Sequence, residues 1–145
     1  MSESIVVGTD GSATALRAVA EAVRLARALD AEVHVVCAYE PLRAVAAAGA
    51  SGLVITPVES DEEVAAHTLA EVEEAIRGDG LAVSTHAVQG SPADALVTVA
   101  AQTGVSTIVV GNQGMHGAKR VLGSVPNSVS HKARCNVLIV STDAS

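Results

Sequence analysis

Short runs of β-branched and aliphatic residues alternate along this chain with longer stretches whose apolar positions recur every three or four residues. The first run, Ile5 to Thr9, stops at Asp10-Gly11-Ser12, a turn that can also cap a helix. From Ala13 to Leu29 the stripe Leu16, Val19, Ala20, Val23 and Ala26 predicts an amphipathic helix, with Arg17, Glu21 and Arg24 on its other face. A second strand is predicted over Glu32 to Ala38. Ser60 and Glu63 form a capping box for a helix carrying Ala65, Leu69, Val72 and Ile76 inward, ended by Gly78 and Gly80. The third strand runs from Leu81 to Val88. Ser91-Pro92-Ala93-Asp94 then opens a helix with a cap, a proline at the first helical position and an acid at the third, with Leu96, Val99 and Ala100 facing inward. Ser106 to Val110 is the fourth strand, about Pro126 to Ala133 a short helix, and Asn136 to Val140 the last strand. Residues 41–58 are rich in Ala, Gly and Val without a period; they read as an excursion between strand and helix, either a lid or a linker.

Strands alternating with helices indicate βαβ units. The expected fold is a single α/β domain over residues 1–145: one doubly wound, parallel five-stranded sheet of Rossmann-like type with helices on both faces. Right-handed crossovers give the strand order 3-2-1-4-5. Ligands of such sheets bind beyond the carboxyl ends of the strands, where the order reverses. Here that point lies between the first and fourth strands, at Thr9-Asp10-Gly11-Ser12 and Gly111-Asn112-Gln113-Gly114.

Composition narrows the chemistry. The chain has no Phe or Trp and one Tyr, so the core is expected from Val, Ile, Leu and Ala. A ring carried by a ligand would then sit between aliphatic side chains, with Tyr39 at the rim and polar recognition from backbone atoms. A net charge of −7 argues against nucleic acid as a partner. It also means that an anionic ligand must be held by local donors. Cys37 and Cys135 lack metal-type spacing and read as reduced, buried thiols of a cytoplasmic protein. Met1-Ser2-Glu3-Ser4 carries no basic segment, so no signal peptide is expected. The uncharged run Ala44 to Val58 is shorter than the ~20 residues of a spanning helix and is broken by Gly49, Gly52 and Pro57, so no membrane partner is expected either. His34, His67, His86, His116 and His131 show no metal-binding spacing, and no metal site is expected among them.

The informative stretch runs from Val110 to Asn127. Gly111 and Gly114 follow a buried strand and let a ligand approach the backbone. Gly123-Ser124 precedes a helix in which Ser124 is placed as cap, Val125 and Asn127 lie in the first turn, and Pro126 marks the start. Free amides, the helix dipole and the Ser124 hydroxyl together make an anion site. Of the nine Lys and Arg residues, Lys119, Arg120, Lys132 and Arg134 fall close by in sequence and read as a basic patch. A GxxxxGK[ST] loop is absent, as is GxGxxG after the first strand. Ser124 has no evident base, so a serine-nucleophile enzyme is not indicated.

Gly111-x2-Gly114 followed by Gly123-Ser124 resembles the nucleotide-binding signature of ATP-binding universal stress proteins, with eight residues in the second gap where the family pattern has nine. The resemblance extends to the opening Val-Val-Gly-Thr-Asp-Gly-Ser and the closing Gly-Ser-Val-Pro-Asn and Val-Leu-Ile-Val. It implies that Thr9 and Asp10 lie near the adenosine and that Ala38 offers backbone contacts to the adenine edge. Val110, Gly111, Gly114, Gly123, Ser124 and Val125 complete the implied site, with the glycines, Ser124 and Val125 on the phosphates. The implied cofactors are ATP and a Mg2+ ion travelling with its phosphates; cAMP is the alternative ligand. A homodimer through the last strand is also implied. The function expected is that of a stress-response sensor with at most slow hydrolysis, a slow ATPase or autophosphorylating enzyme being the alternative.

Overall fold

The computed structural model describes residues 3–40, 61–78, 80–112 and 125–142. Five strands and four helices alternate: β1 (Ser4–Gly8), α1 (Ala13–Leu29), β2 (Glu32–Tyr39), α2 (Asp61–Ile76), β3 (Val83–Gln89), α3 (Pro92–Thr103), β4 (Thr107–Gly111), α4 (Val125–Lys132) and β5 (Asn136–Val140). All strand pairs are parallel and the order is β3-β2-β1-β4-β5, as the alternation of elements predicts.

The central strands are buried on both faces because helices cover both. Ile5, Val6 and Val7 of β1 and Ile108 and Val109 of β4 are all fully buried. Each such side chain contributes about 1.5–3 kcal/mol relative to an exposed position. Alternation along the strands splits the core into two layers. Ile5, Val7, Val33 and Val35 pack on α1 and α2. Val6, Val36, Ile108 and Val110 pack on α3 and α4, through residues such as Leu96, Val99 and Val129.

The buried stripe of α1 keeps Val19 and Ala26 of the predicted one, with Val23 packed against the core, but not Leu16 or Ala20. Ala18, Val19, Ala22 and Ala26 face the sheet, while Leu16 is 42% exposed and Ala20 is on the surface. The sheet selects small side chains for close helix approach, and periodicity alone does not rank an alanine above a leucine. β3 begins at Val83, two residues after its predicted start, since Leu81 instead closes the turn with its amide donating to the Gly78 carbonyl. Cys37 is buried, but Cys135 is only partly so. Both thiols are free, and burial pushes each one up from its ordinary pKa, with the nearby Asp10 charge adding to the effect at Cys37. The capping serine expected at position 60 lies outside the described residues, as does the excursion at 41–58.

Among the described strands β5 lies at one edge of the sheet. Leu138 is 37% and Ile139 42% exposed. The opposite half of the sheet carries a polar chain across β2 and β3. The Ser84 hydroxyl donates to Glu32 Oε1 at 2.9 Å, Glu32 stands 3.6 Å from His34 Nε2, and His34 Nδ1 shares a hydrogen bond of 2.9 Å with His86 Nε2. No sequence spacing links those two histidines; the β2–β3 register does, by setting His34 beside Ser84 and Val36 beside His86.

Burial and the neighbouring His34 hold His86 below its ordinary pKa, with Glu32 acting in the opposite direction. The folded state therefore binds fewer protons than the unfolded chain once the pH drops below the unfolded value. Stability is full above that value and declines as the pH falls through it. His86→Asn is expected to flatten the fall in urea midpoint between about pH 7.5 and about pH 5.5 relative to the unmodified chain. Equal slopes for the two proteins would show that the pair plays no part.

Candidate functional site

β1 and β4 are neighbours in the sheet, but the chain leaves them for helices on opposite faces. Their carboxyl ends therefore open into a crevice instead of being covered by one crossover. A cavity of about 380 Å3 occupies it. Gly8, Thr9 and Asp10 form one wall, Val110 and Gly111 the facing wall, and Val36 and Ala38 the end toward β2. The starts of three helices complete it: Thr14 and Ala15 of α1, Pro92 and Leu96 of α3, and Val125 and Pro126 of α4. The volume lies at the small end of the range for ligand sites, and the lining is mostly apolar with few polar groups.

The turn after β1 is tightly specified. The Thr9 amide donates to the Val36 carbonyl at 2.9 Å and ties the turn to β2. The Gly11 amide donates to Thr9 Oγ1 at 3.0 Å and the Ser12 amide to Asp10 Oδ1 at 2.9 Å. Gly11 has φ +83°, which a side chain would strain, and a Cβ there would also meet Thr68 at 3.1 Å. Ser12 caps α1, its hydroxyl accepting from the Ala15 amide. Partial burial pushes the Asp10 carboxyl up, but hydrogen bonds from the Ser12 side chain and amide and from its own backbone outweigh this and leave it below the usual value. Asp10 is thus an anion at neutral pH, on the cavity wall.

Across the crevice the chain leaves β4 through Asn112. Its amide donates to the Val140 carbonyl at 3.0 Å. Its Oδ1 accepts from both the amide and the hydroxyl of Thr142, at 2.9 and 2.8 Å. Thr142 is 4% exposed and lines the cavity. A Cβ on Gly111 would stand 2.9 Å from the Thr142 methyl, closer than atoms tolerate, so glycine is required there for packing.

The structure brings Thr9, Asp10, Ala38, Val110, Gly111 and Val125 to one cavity. Gly114, Gly123 and Ser124 lie outside the described residues, as do Lys119, Arg120 and His116. The expected basic patch does not gather at the crevice with its two described members. Lys132 and Arg134 stand at the far end of α4 from Val125, about 10 Å along an eight-residue helix, and line a different cavity. Lys132 donates to Asp94 at 2.7 Å instead. Proximity in sequence misled because a helix separates the two ends of the run.

Tyr39 does not line the crevice. Alternation turns it to the opposite face from Ala38, into a cavity of about 270 Å3 bordered by α2. Sequence reasoning missed Thr142, Leu96 and Pro92. The last two were within reach, since α3 starts at the carboxyl ends of the strands and leads into β4, one of the two strands that bound the crevice. Among the described residues no group of three His, Cys, Asp or Glu gathers that could hold a metal, and no helix is long and apolar enough to cross a membrane.

Comparison with known proteins places this architecture. The universal stress protein family model matches residues 1–141. The universal stress protein Rv1636 of Mycobacterium tuberculosis is 37% identical over 146 residues, covering 97% of each chain. MJ0531 of Methanocaldococcus jannaschii is 31% identical, over 95% of this chain and 81% of that protein. Among solved structures, a universal stress protein in complex with cAMP superposes with a TM-score of 0.78 at 31% identity, over 97% of this chain and 98% of the other. The universal stress protein from Archaeoglobus fulgidus in complex with dAMP gives 0.65 at 26% identity, over 94% and 96%. A match that spans nearly the whole chain, joined by relatives above 30% identity over most of their own lengths, makes this chain a member of the universal stress protein family.

Proposed function

We propose that this protein is an adenine-nucleotide-binding sensor of the cytoplasm, its whole chain acting as one binding domain in the crevice between β1 and β4. The observation that carries the reading is a largely apolar cavity at the switch point, bounded by Ala38, Asp10, Gly111 and the first turn of α4. The cAMP and dAMP complexes of its structural relatives support an adenine nucleotide as the class of ligand.

The chemistry assigns the parts of the ligand. Val36, Ala38, Leu96 and Val110 supply an aliphatic slot for the base, and the strand-end backbone at Ala38 supplies polar recognition. An ionised Asp10 repels phosphate, so it serves the ribose hydroxyls, which donate to a carboxylate, or a divalent ion. The phosphates face Gly111 and the amides at the start of α4, with Val125 there and Gly114, Gly123 and Ser124 completing the cradle. With no metal cluster among the described residues, Mg2+ arrives with the phosphates of ATP. ATP is the first candidate. cAMP is the alternative, favoured by the cAMP complex of the relative with a TM-score of 0.78. Asp10 is the one carboxylate of the described lining and is assigned to the ribose or a divalent ion, so in this reading occupancy, not turnover, carries the signal.

Titration calorimetry with ATP–Mg2+ and with cAMP is expected to yield heat from one or both, and competition between them ranks the two. Ala38→Phe places a ring in the slot at a strand position that tolerates aromatics. It is expected to weaken binding at least about tenfold while the melting temperature of the free protein moves by a few degrees at most. An unmodified protein giving neither heat nor a melting shift at millimolar nucleotide would refute the reading.

The same proposal includes a homodimer through β5. An edge strand carrying the half-exposed pair Leu138 and Ile139 is a liability that a second copy removes. Sedimentation is expected to give a dimer for the unmodified chain and a monomer for the double variant Leu138→Lys, Ile139→Lys; a monomer in both cases removes the dimer from the proposal.

A further inference from the structure

Thr142 is a short polar residue, almost fully buried, two positions beyond the last strand. Each of its polar groups is committed. Its amide and its hydroxyl both donate to Asn112 Oδ1, and its carbonyl accepts from Arg17 Nη1 at 3.3 Å. The Asn112 amide donates in turn to the Val140 carbonyl. Four hydrogen bonds thus tie the end of β4, the end of β5 and helix α1 at one point, and the Thr142 methyl closes against Gly111.

The position of this lock gives it a function. Ala38 ends the cavity on the β2 side and Thr142 on the β5 side, with β1 and β4 between them. Three strand spacings of about 4.8 Å separate the two ends, roughly 14 Å in all. A nucleotide whose base lies at Ala38 directs its phosphate end toward Gly111 and Asn112. The Thr142 hydroxyl donates its one hydrogen to the bond with Asn112 and so has none to offer a phosphate oxygen. What it can do is fix Asn112, and through Asn112 the direction in which the main chain leaves β4.

We propose that Thr142 is a positioning residue for the phosphate end of the ligand: its hydroxyl, bonded to Asn112, holds the neighbouring Gly111 main chain, which lines the cavity, in the orientation that faces the phosphate. This rests on the nucleotide reading above and goes beyond it. None of the glycine, serine or strand-end positions of the family signature includes Thr142, and it reaches the site only because β5 ends beside β4.

The test is calorimetric titration of the full chain with ATP–Mg2+ and cAMP, and NMR titration with adenosine, for the unmodified protein, Thr142→Val, Thr142→Ser and Asn112→Asp. T142V keeps the shape and loses the hydroxyl. It is expected to weaken the phosphate-bearing ligand about five- to tenfold, the size of one lost hydrogen bond, and adenosine by less than about twofold. T142S restores the hydroxyl and is expected to return the affinity to within about twofold of the unmodified chain. N112D still accepts both Thr142 bonds but adds a negative charge beside the phosphate, so it weakens ATP more than adenosine. Should T142V fail to fold, T142S and N112D carry the same expectations. The proposal is overturned if T142V binds as the unmodified chain does, if T142S binds no better than T142V, or if N112D leaves ATP binding unchanged. An unmodified chain that binds neither nucleotide nor nucleoside overturns the nucleotide reading itself, and the positioning role with it.

Discussion

The structure depends on the parallel pairing of β1 with β4. These strands lie side by side in the middle of the sheet, both fully buried, yet the chain between them travels out through β2 and β3 and back. Because right-handed crossovers then send α1 to one face and α4 to the other, neither helix covers both strand ends. The crevice follows from the topology and would be there whatever residues lined it. What the residues decide is which ligand it suits.

Charge makes that decision unusual. The protein is acidic, and the wall formed by Asp10 is itself an anion held below its usual pKa by the turn around it. A phosphate therefore meets no general positive field, and two of the cations near the glycine loop in sequence, Lys132 and Arg134, stand at the far end of α4. Among the described residues the remaining means are short-range: main-chain amides and the start of a helix, which act over one hydrogen-bond length and are indifferent to net charge. Such donors work only when the backbone that carries them is held still. The Thr9–Val36 bond on one wall and the Asn112–Thr142 bonds on the other supply that rigidity.

Gly111 shows how closely the two requirements are joined. A glycine after a buried strand reads naturally as room for a ligand. Here the space its missing Cβ would take is already claimed by the Thr142 methyl. The residue is small because the C-terminal segment packs against it, and the proposed approach of a ligand from the cavity side would be a second use of the same position. The exposed apolar edge of β5 immediately precedes that segment, so the strand with open backbone groups and the wall of the crevice are parts of one short stretch.

The alternation of Val and Ile runs with helical stretches determined the sheet, its order and the place of the crevice, because strand spacing, crossover handedness and burial on both faces leave few other solutions. Thr9, Asp10, Val110 and Gly111 were legible for the same reason: they sit where strands end. Local chemistry also fixed the caps at Ser12 and Ser91, which depend only on residues within one turn. Tertiary structure alone decided what depends on distance across the fold. It chose Ala18 and Ala22 over Leu16 for the buried face of α1, since helix–sheet separation is set by the sheet. It joined His34 to His86 through strand register, removed Lys132 and Arg134 from the crevice by the length of a helix, and brought Thr142 to Asn112 across thirty residues of chain. A hydrogen bond is specified by position to within a fraction of an ångström, and no pattern along a sequence carries that information until the chain has closed on itself.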